Sequence, residues 1–197
     1  KDGHFHLANV LMRLGQGEAA LAHYEKVVAL EPSNGFARFM AAMALVRLKR
    51  YAEAKTRLED GLAAVPDDPD MKHALARLLV AGPDDQIRDG ARALKLMQPL
   101  IANPRSVDLE HVETLAMLSA ELGQFDKAVG LQRQMVAQAR AANLTELARS
   151  FTGNLEKYEI RRPCRVPWRD DDPVFSPVAG IPAVLGPDAE RAIPGQQ

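Results

Sequence analysis

The feature that most constrains this chain is a self-similarity at a shift of 34 residues, which sets Leu7 on Ala41, Ala8 on Ala42, Leu11 on Leu45 and Gly17 on Tyr51. The same shift sets Ala20 on Ala54, Tyr24 on Leu58 and Pro32 on Pro66. Small residues stay small, and bulky ones mostly stay bulky. Each unit carries two apolar patterns at helical spacing, Leu7, Leu11 and Leu14 and then Ala20, Tyr24, Val27 and Val28. The spacing predicts one helical hairpin per unit, and hairpins at a fixed period stack into a solenoid.

The punctuation between units agrees. Leu30-Glu31-Pro32-Ser33-Asn34 joins a helix-stopping proline to two N-cap candidates, and Val65-Pro66-Asp67-Asp68-Pro69 repeats the device, with Asp68 as N-cap and Pro69 at the first helical position. The third unit opens at Pro69 with Leu75, Ala76 and Leu79, is interrupted by an insert at Gly82–Gly90, and resumes with Ala93, Met97 and Leu100 before Asn103-Pro104. The fourth carries Leu115-Ala116, Gly123-Gln124-Phe125 and Ala128, with a second helix expected to run to about Ala142.

Asn143 and Glu146 have the form of a capping box opening one more helix, whose apolar stripe is Leu144, Leu147, Phe151, Leu155 and Tyr158. Such a helix would cap the last hairpin. The units are placed at about 1–34, 35–68, 69–105 and 108–142, followed by a capping helix at 143–160. From 161 to 197 the prolines at 163, 167, 173, 177, 182, 187 and 194 exclude helix and predict an extended tail. Trp168 and Phe175 are its expected anchors on the solenoid, and the residues after Ser176 are expected to be looser. Lys1 stands at the opening of a repeat helix with no cap before it, which predicts a segment cut from a longer protein.

Composition narrows the class further. Aromatic residues are 5% of the chain while alanine and leucine recur throughout, which favours an all-α fold packed through small residues. Lys and Arg (25) nearly balance Asp and Glu (26), so the net charge of -1 provides no field to attract nucleic acid or an anionic membrane. No apolar run reaches the roughly 18 residues of a membrane span. The single cysteine, Cys164, excludes an intrachain disulfide and a cysteine-based zinc site.

These units resemble the tetratricopeptide repeat family, on Leu7-Ala8, Tyr51, Ala20 or Ala54, and Pro32 or Pro66. The resemblance implies a right-handed superhelical solenoid whose first helices line a concave groove for extended peptides, and the likeness to alanine- and arginine-rich bacterial repeat proteins implies a bacterial source. Carried over, the groove residues are Phe5, Asn9, Met12 and Arg13 in the first unit and Phe39, Met43 and Arg47, with Phe36, in the second. The later units add His73, Arg77, Glu113 and Met117, with Glu121. Arg13, Arg47 and Arg77 form a possible ladder for bidentate contact to carboxylates, set against the plainer reading of solvated helix arginines. Phe5, Phe36 and Phe39 read equally as packing between repeats. Of the clamp by which one variety of the family holds chaperone C-termini, only Asn9 is present, with Phe5, Met40, Asp70 and Ala74 at the other places.

No constellation in the sequence carries chemistry. His4 and His6 diverge on a helix, His23, His73 and His111 fall in different units, and the aspartates at 84, 85 and 89 lack calcium-loop spacing. Gly15-Gln16-Gly17 is a turn without the residues of a phosphate loop, and Cys164 has no histidine near it in sequence. The chain therefore reads as a non-catalytic scaffold that binds a protein or peptide partner in the groove, without metal or cofactor, with self-association through the tail as a further possibility. The alternatives are the non-catalytic part of a larger enzyme or electron-transfer protein, and a structural protein whose groove is filled by its own or a neighbour's tail.

Overall fold

The computed structural model describes residues 1–177, so the expectation for the segment after Ser176 lies, from residue 178 on, outside the described residues. Among the described residues nine α-helices follow one another and no strand occurs. They are α1 (Asp2–Arg13), α2 (Gly17–Leu30), α3 (Gly35–Arg47), α4 (Tyr51–Ala64), α5 (Pro69–Ala81), α6 (Gly90–Ile101), α7 (Leu109–Glu121), α8 (Phe125–Ala141) and α9 (Thr145–Glu159). Successive helices pack as hairpins α1/α2, α3/α4, α5/α6 and α7/α8, with α9 laid against α8. The fold is a helical solenoid.

The side chains at the boundaries explain where helices begin. Asn34 and Asp68 each accept the backbone N–H three residues on, from Ala37 and Met71, at 2.9 Å. Asp89 and Asp108 do the same for Arg92 and His111, so four helices open on a carboxylate or amide oxygen that fills an orphan donor. Within hairpins the turn uses a left-handed residue just after the first helix, at Gly15 (φ 77°), Lys49 (φ 61°) and Gly123 (φ 75°). Glycine adopts this conformation freely, whereas Lys49 holds it at some cost. The third hairpin replaces the tight turn with its insert, pinned by buried Ile87 and by the Asp89 N–H on the Leu79 carbonyl at 3.0 Å.

One alanine in each second helix, Ala20, Ala54, Ala93 and Ala128, is fully buried. A larger side chain there would hold the two helices of a hairpin apart, which is why this position stays small. Around these contacts one continuous core runs from Ala8 and Met12 to Leu118 and Ala120, and a smaller cluster of Met135, Val136, Ala139, Ala148 and Phe151 joins α8 to α9.

Two expectations are corrected. The apolar pattern of Leu7, Leu11 and Leu14 is not a buried stripe: Leu7 and Leu14 are 44% and 66% exposed, and the buried residues of α1 are Ala8, Asn9 and Met12. Their counterparts in α3 are buried or half-buried because α3 packs on α2, a neighbour that α1 lacks among the described residues. Asn143 and Glu146 do not form a capping box. Asn143 is left-handed (φ 59°) and ends α8, with Leu144 N–H returning to the Ala139 carbonyl at 2.9 Å, while Glu146 pairs with Arg149.

Candidate functional site

At the end of α9 the chain reverses through Arg161 (φ 57°), a left-handed residue, and runs back over the first helices of the preceding hairpins. It meets α7 and α5 first. Arg165 donates to Glu121 at 2.6 Å and to the Val80 carbonyl at 3.3 Å, and the buried Cys164 thiol lies 3.5 Å from the Val166 carbonyl. Arg77 of α5 then donates its Nε to the Pro167 carbonyl and lies with its guanidinium 5.6 Å from the centre of the Trp168 ring. Asp170 pairs with Lys49, and Asp172 accepts the Val174 N–H at 3.1 Å to start a single 3-10 turn at Pro173–Phe175. Arg47 of α3 donates Nη1 to the Phe175 carbonyl at 3.1 Å, again with its guanidinium 5.6 Å from the ring centre.

Arg47 and Arg77 thus make similar compound contacts, each hydrogen-bonding a main-chain carbonyl and lying over an aromatic ring, which for Arg77 is that of Trp168 next to Pro167 and for Arg47 is that of Phe175 itself. A guanidinium suits this because its flat face and its edge act at once. Trp168 is 7% exposed and Phe175 3%, and both belong to the main core. The prolines keep the segment extended and stiff, which lowers the entropy lost on seating it.

The electrostatics beneath the tail centre on Arg77, which is 5% exposed. It donates to Glu113 at 2.6 Å and contacts Thr114 Oγ1 at 3.4 Å. Burial alone would lower its pKa, but the carboxylates of Glu113 and Asp172 outweigh that and hold it above the usual value. Burial raises the carboxyl of Asp172, and raises that of Glu110 to about 7 despite the nearby Arg77 cation. His73 hydrogen-bonds Thr114 Oγ1 at 2.8 Å and stacks on His111 with ring centres 4.6 Å apart. Burial, followed by His111 and Arg77, pushes it down to about 3, so it is neutral at ordinary pH.

The residues assigned to the groove from the sequence fall into three groups. Arg47 and Arg77 touch the tail, and Glu113 and His73 support the contact from beneath. Met12, Phe39, Met43 and Met117 are buried in the core rather than forming an open floor. Asn9 is buried too and accepts the Tyr24 hydroxyl at 2.7 Å, while Phe5 packs against Tyr24 and Phe36 with ring centres 5.9 and 5.4 Å away. Arg13 is exposed with no partner among the described residues. Sequence reasoning missed Lys49, Thr114 and Arg165 as contacts of this site, none of which carries a periodic signal. It also left His4 and His23 apart, whereas the α1/α2 hairpin sets their Nδ1 atoms 2.8 Å from each other. Beside the tail an open cleft of about 330 Å³ remains, bounded by Arg77, Glu113, Arg149, Lys157 and Arg169.

This architecture defines a helical-repeat protein of the class that serves protein–protein interaction. Residues 6–78 match the tetratricopeptide repeat family, and the hairpins that follow continue the same helical architecture. Among solved structures it is similar to the crystal structure of PilW, a widely conserved type IV pilus biogenesis factor, at 20% identity and a TM-score of 0.59. That match covers 81% of this chain and 74% of the other.

Proposed function

We propose that the chain is an interaction scaffold that grips an extended polypeptide along the face lined by α3, α5 and α7. The observation that carries this reading is the run of contacts on residues 163–177, where two arginines hold main-chain carbonyls and stack on Trp168 and Phe175. Hydrogen bonds to carbonyls are available from any peptide, while the two aromatic seats select among them. In this chain the occupant is its own tail, so a partner either displaces the tail or binds what the tail leaves open, the cleft by α9 and the exposed Arg13. Among the described residues no helix is long and apolar enough to cross a membrane.

The test is selection of a random peptide library on the full chain, with counter-selection on Arg47→Ala/Arg77→Ala. The expected result is enrichment of extended peptides carrying two aromatic residues whose binding is lost in the double variant. Enriched peptides that bind the double variant equally well would refute the reading.

A further inference from the structure

We propose that the tail is an exchangeable occupant: residues 163–177 of one copy of this chain seat on the α3, α5 and α7 face of a second copy, producing a reciprocal dimer. The inference rests on the reading that this face grips extended polypeptide, and it names the partner as a second copy.

Two observations carry it. First, the contacts that seat the tail all lie beyond a short hinge. Arg165 on Glu121, Arg77 on Pro167 and Trp168, Lys49 on Asp170, and Arg47 on Phe175 join the solenoid to residues that follow Pro163. None depends on which copy supplies the tail, so the same contacts form in cis and in trans, and only the tether distinguishes the two states.

Second, the hinge is lightly held. Between Glu159 at the end of α9 and Pro163 stand Ile160, which is 63% exposed, Arg161 in the left-handed region, and the exposed Arg162. The turn is fixed by two backbone hydrogen bonds, Arg161 N–H to the Tyr158 carbonyl and Arg162 N–H to the Lys157 carbonyl, and by Arg161 lying 5.5 Å over the Phe125 ring. A residue with a Cβ is strained in that conformation, and opening the turn releases it. Pro163 keeps the residue before it extended, so α9 cannot lengthen through the hinge. The tether is short, which gives the closed form a local concentration in the millimolar range, roughly. Exchange therefore takes over when the closed form is weakened or the protein is concentrated.

Complementation between two full-length variants tests this. The donor carries Arg47→Ala/Arg77→Ala, with a damaged seat and an intact tail. The acceptor carries Trp168→Ala/Phe175→Ala, with an intact seat and a damaged tail. Each is checked for folding by circular dichroism, and a donor with Arg47→Ala alone, which keeps the buried Arg77 pair, replaces the first if that one unfolds. Trp168 is the chain's only tryptophan, so in the mixture all tryptophan emission comes from the donor's tail. The expected result is that each variant elutes as a monomer, the mixture elutes as a one-to-one complex by light scattering, and Trp168 emission moves to shorter wavelength on mixing. A mixture that stays monomeric at high micromolar concentration overturns the exchange. A synthetic peptide of residues 161–177 titrated into the acceptor separates the two levels. Peptide binding without complex formation refutes exchange and leaves the grip intact, and no binding of either kind refutes both.

Discussion

Arg77 is the residue on which tail and solenoid most depend, and Arg77→Met keeps the length of its stem while removing its charge and every donor. The change leaves Glu113, whose side chain is 13% exposed, without its cation, and the Pro167 carbonyl without its donor. Removing one partner of a buried ion pair costs about 3–5 kcal/mol, and losing the stack on Trp168 adds about 0.5–2 kcal/mol. The tail's release hydrates Glu113 and so caps the total, giving a net loss of about 3 kcal/mol. For a chain of this size that lowers the melting temperature by about 6–12 °C. Adding Glu113→Leu removes the stranded carboxylate, and a buried pair replaced on both sides by apolar groups is near neutral, so most of the stability returns. The carbonyl and the ring remain unheld, however, and Trp168 emission stays red-shifted in both variants. Thermal melts with tryptophan emission and acrylamide quenching read the two effects separately. A melting temperature within about 2 °C of the parent for Arg77→Met, with Trp168 emission unchanged, would show that Arg77 does not hold the tail.

Ala54→Leu overpacks the fully buried contact between α3 and α4 and should cost about 1–3 kcal/mol in a thermal melt, whereas an unchanged melt would mean the hairpin is looser than its packing implies. Glu110 gives a pH dependence of defined sign. Its carboxyl is raised from 4.5 to about 7, chiefly by burial, so the stability it contributes is complete below pH 4.5 and is lost as pH rises through 7. Glu110→Gln should therefore stabilise the protein by roughly 2 kcal/mol at pH 8, with the gain shrinking to nothing toward pH 4.5, as followed by denaturant titration across that range. Asp170→Asn breaks the exposed pair with Lys49 and should leave the thermal melt unchanged; a clear loss of stability would mean the pair is more than a surface contact.

The repeat and its caps were legible because each is a local signal. A small residue recurring at a shift of 34 between the first two units marks the hairpin contact, and Asn34 and Asp68 act on amides three residues away. The site was legible only in part, since it depends on which side of a helix faces what. Helical spacing places Met12, Met43, Arg47 and Arg77 on the first helices, but it does not say that the methionines point to the core while the arginines meet an incoming strand. The exposed Leu7 and Leu14 show the same ambiguity, because their stripe matches a buried one in α3 and only the missing neighbour distinguishes the two. Asn143 was misread because its residue type suits both an N-cap and a left-handed helix end. Trp168 and Phe175 stood out in the sequence as large aromatics between prolines, and both are buried against the solenoid.

The tail also changes how such an array should come apart. A solenoid held only by nearest-neighbour contacts frays from its ends, each hairpin melting nearly on its own. Here the hydrogen bond from Arg47 to Phe175 spans 128 residues of sequence, and the contacts of Arg77 and Arg165 tie the hairpins between them into the same strap. A fluctuation that opens the second hairpin must also break the strap's hold at Phe175 and Asp170, so that hairpin is coupled to the third and fourth by contacts that its local packing does not supply. The strap can close only after the hairpins it crosses have formed, which makes its docking a late, long-range step in a molecule whose other contacts are mostly local and fast to form.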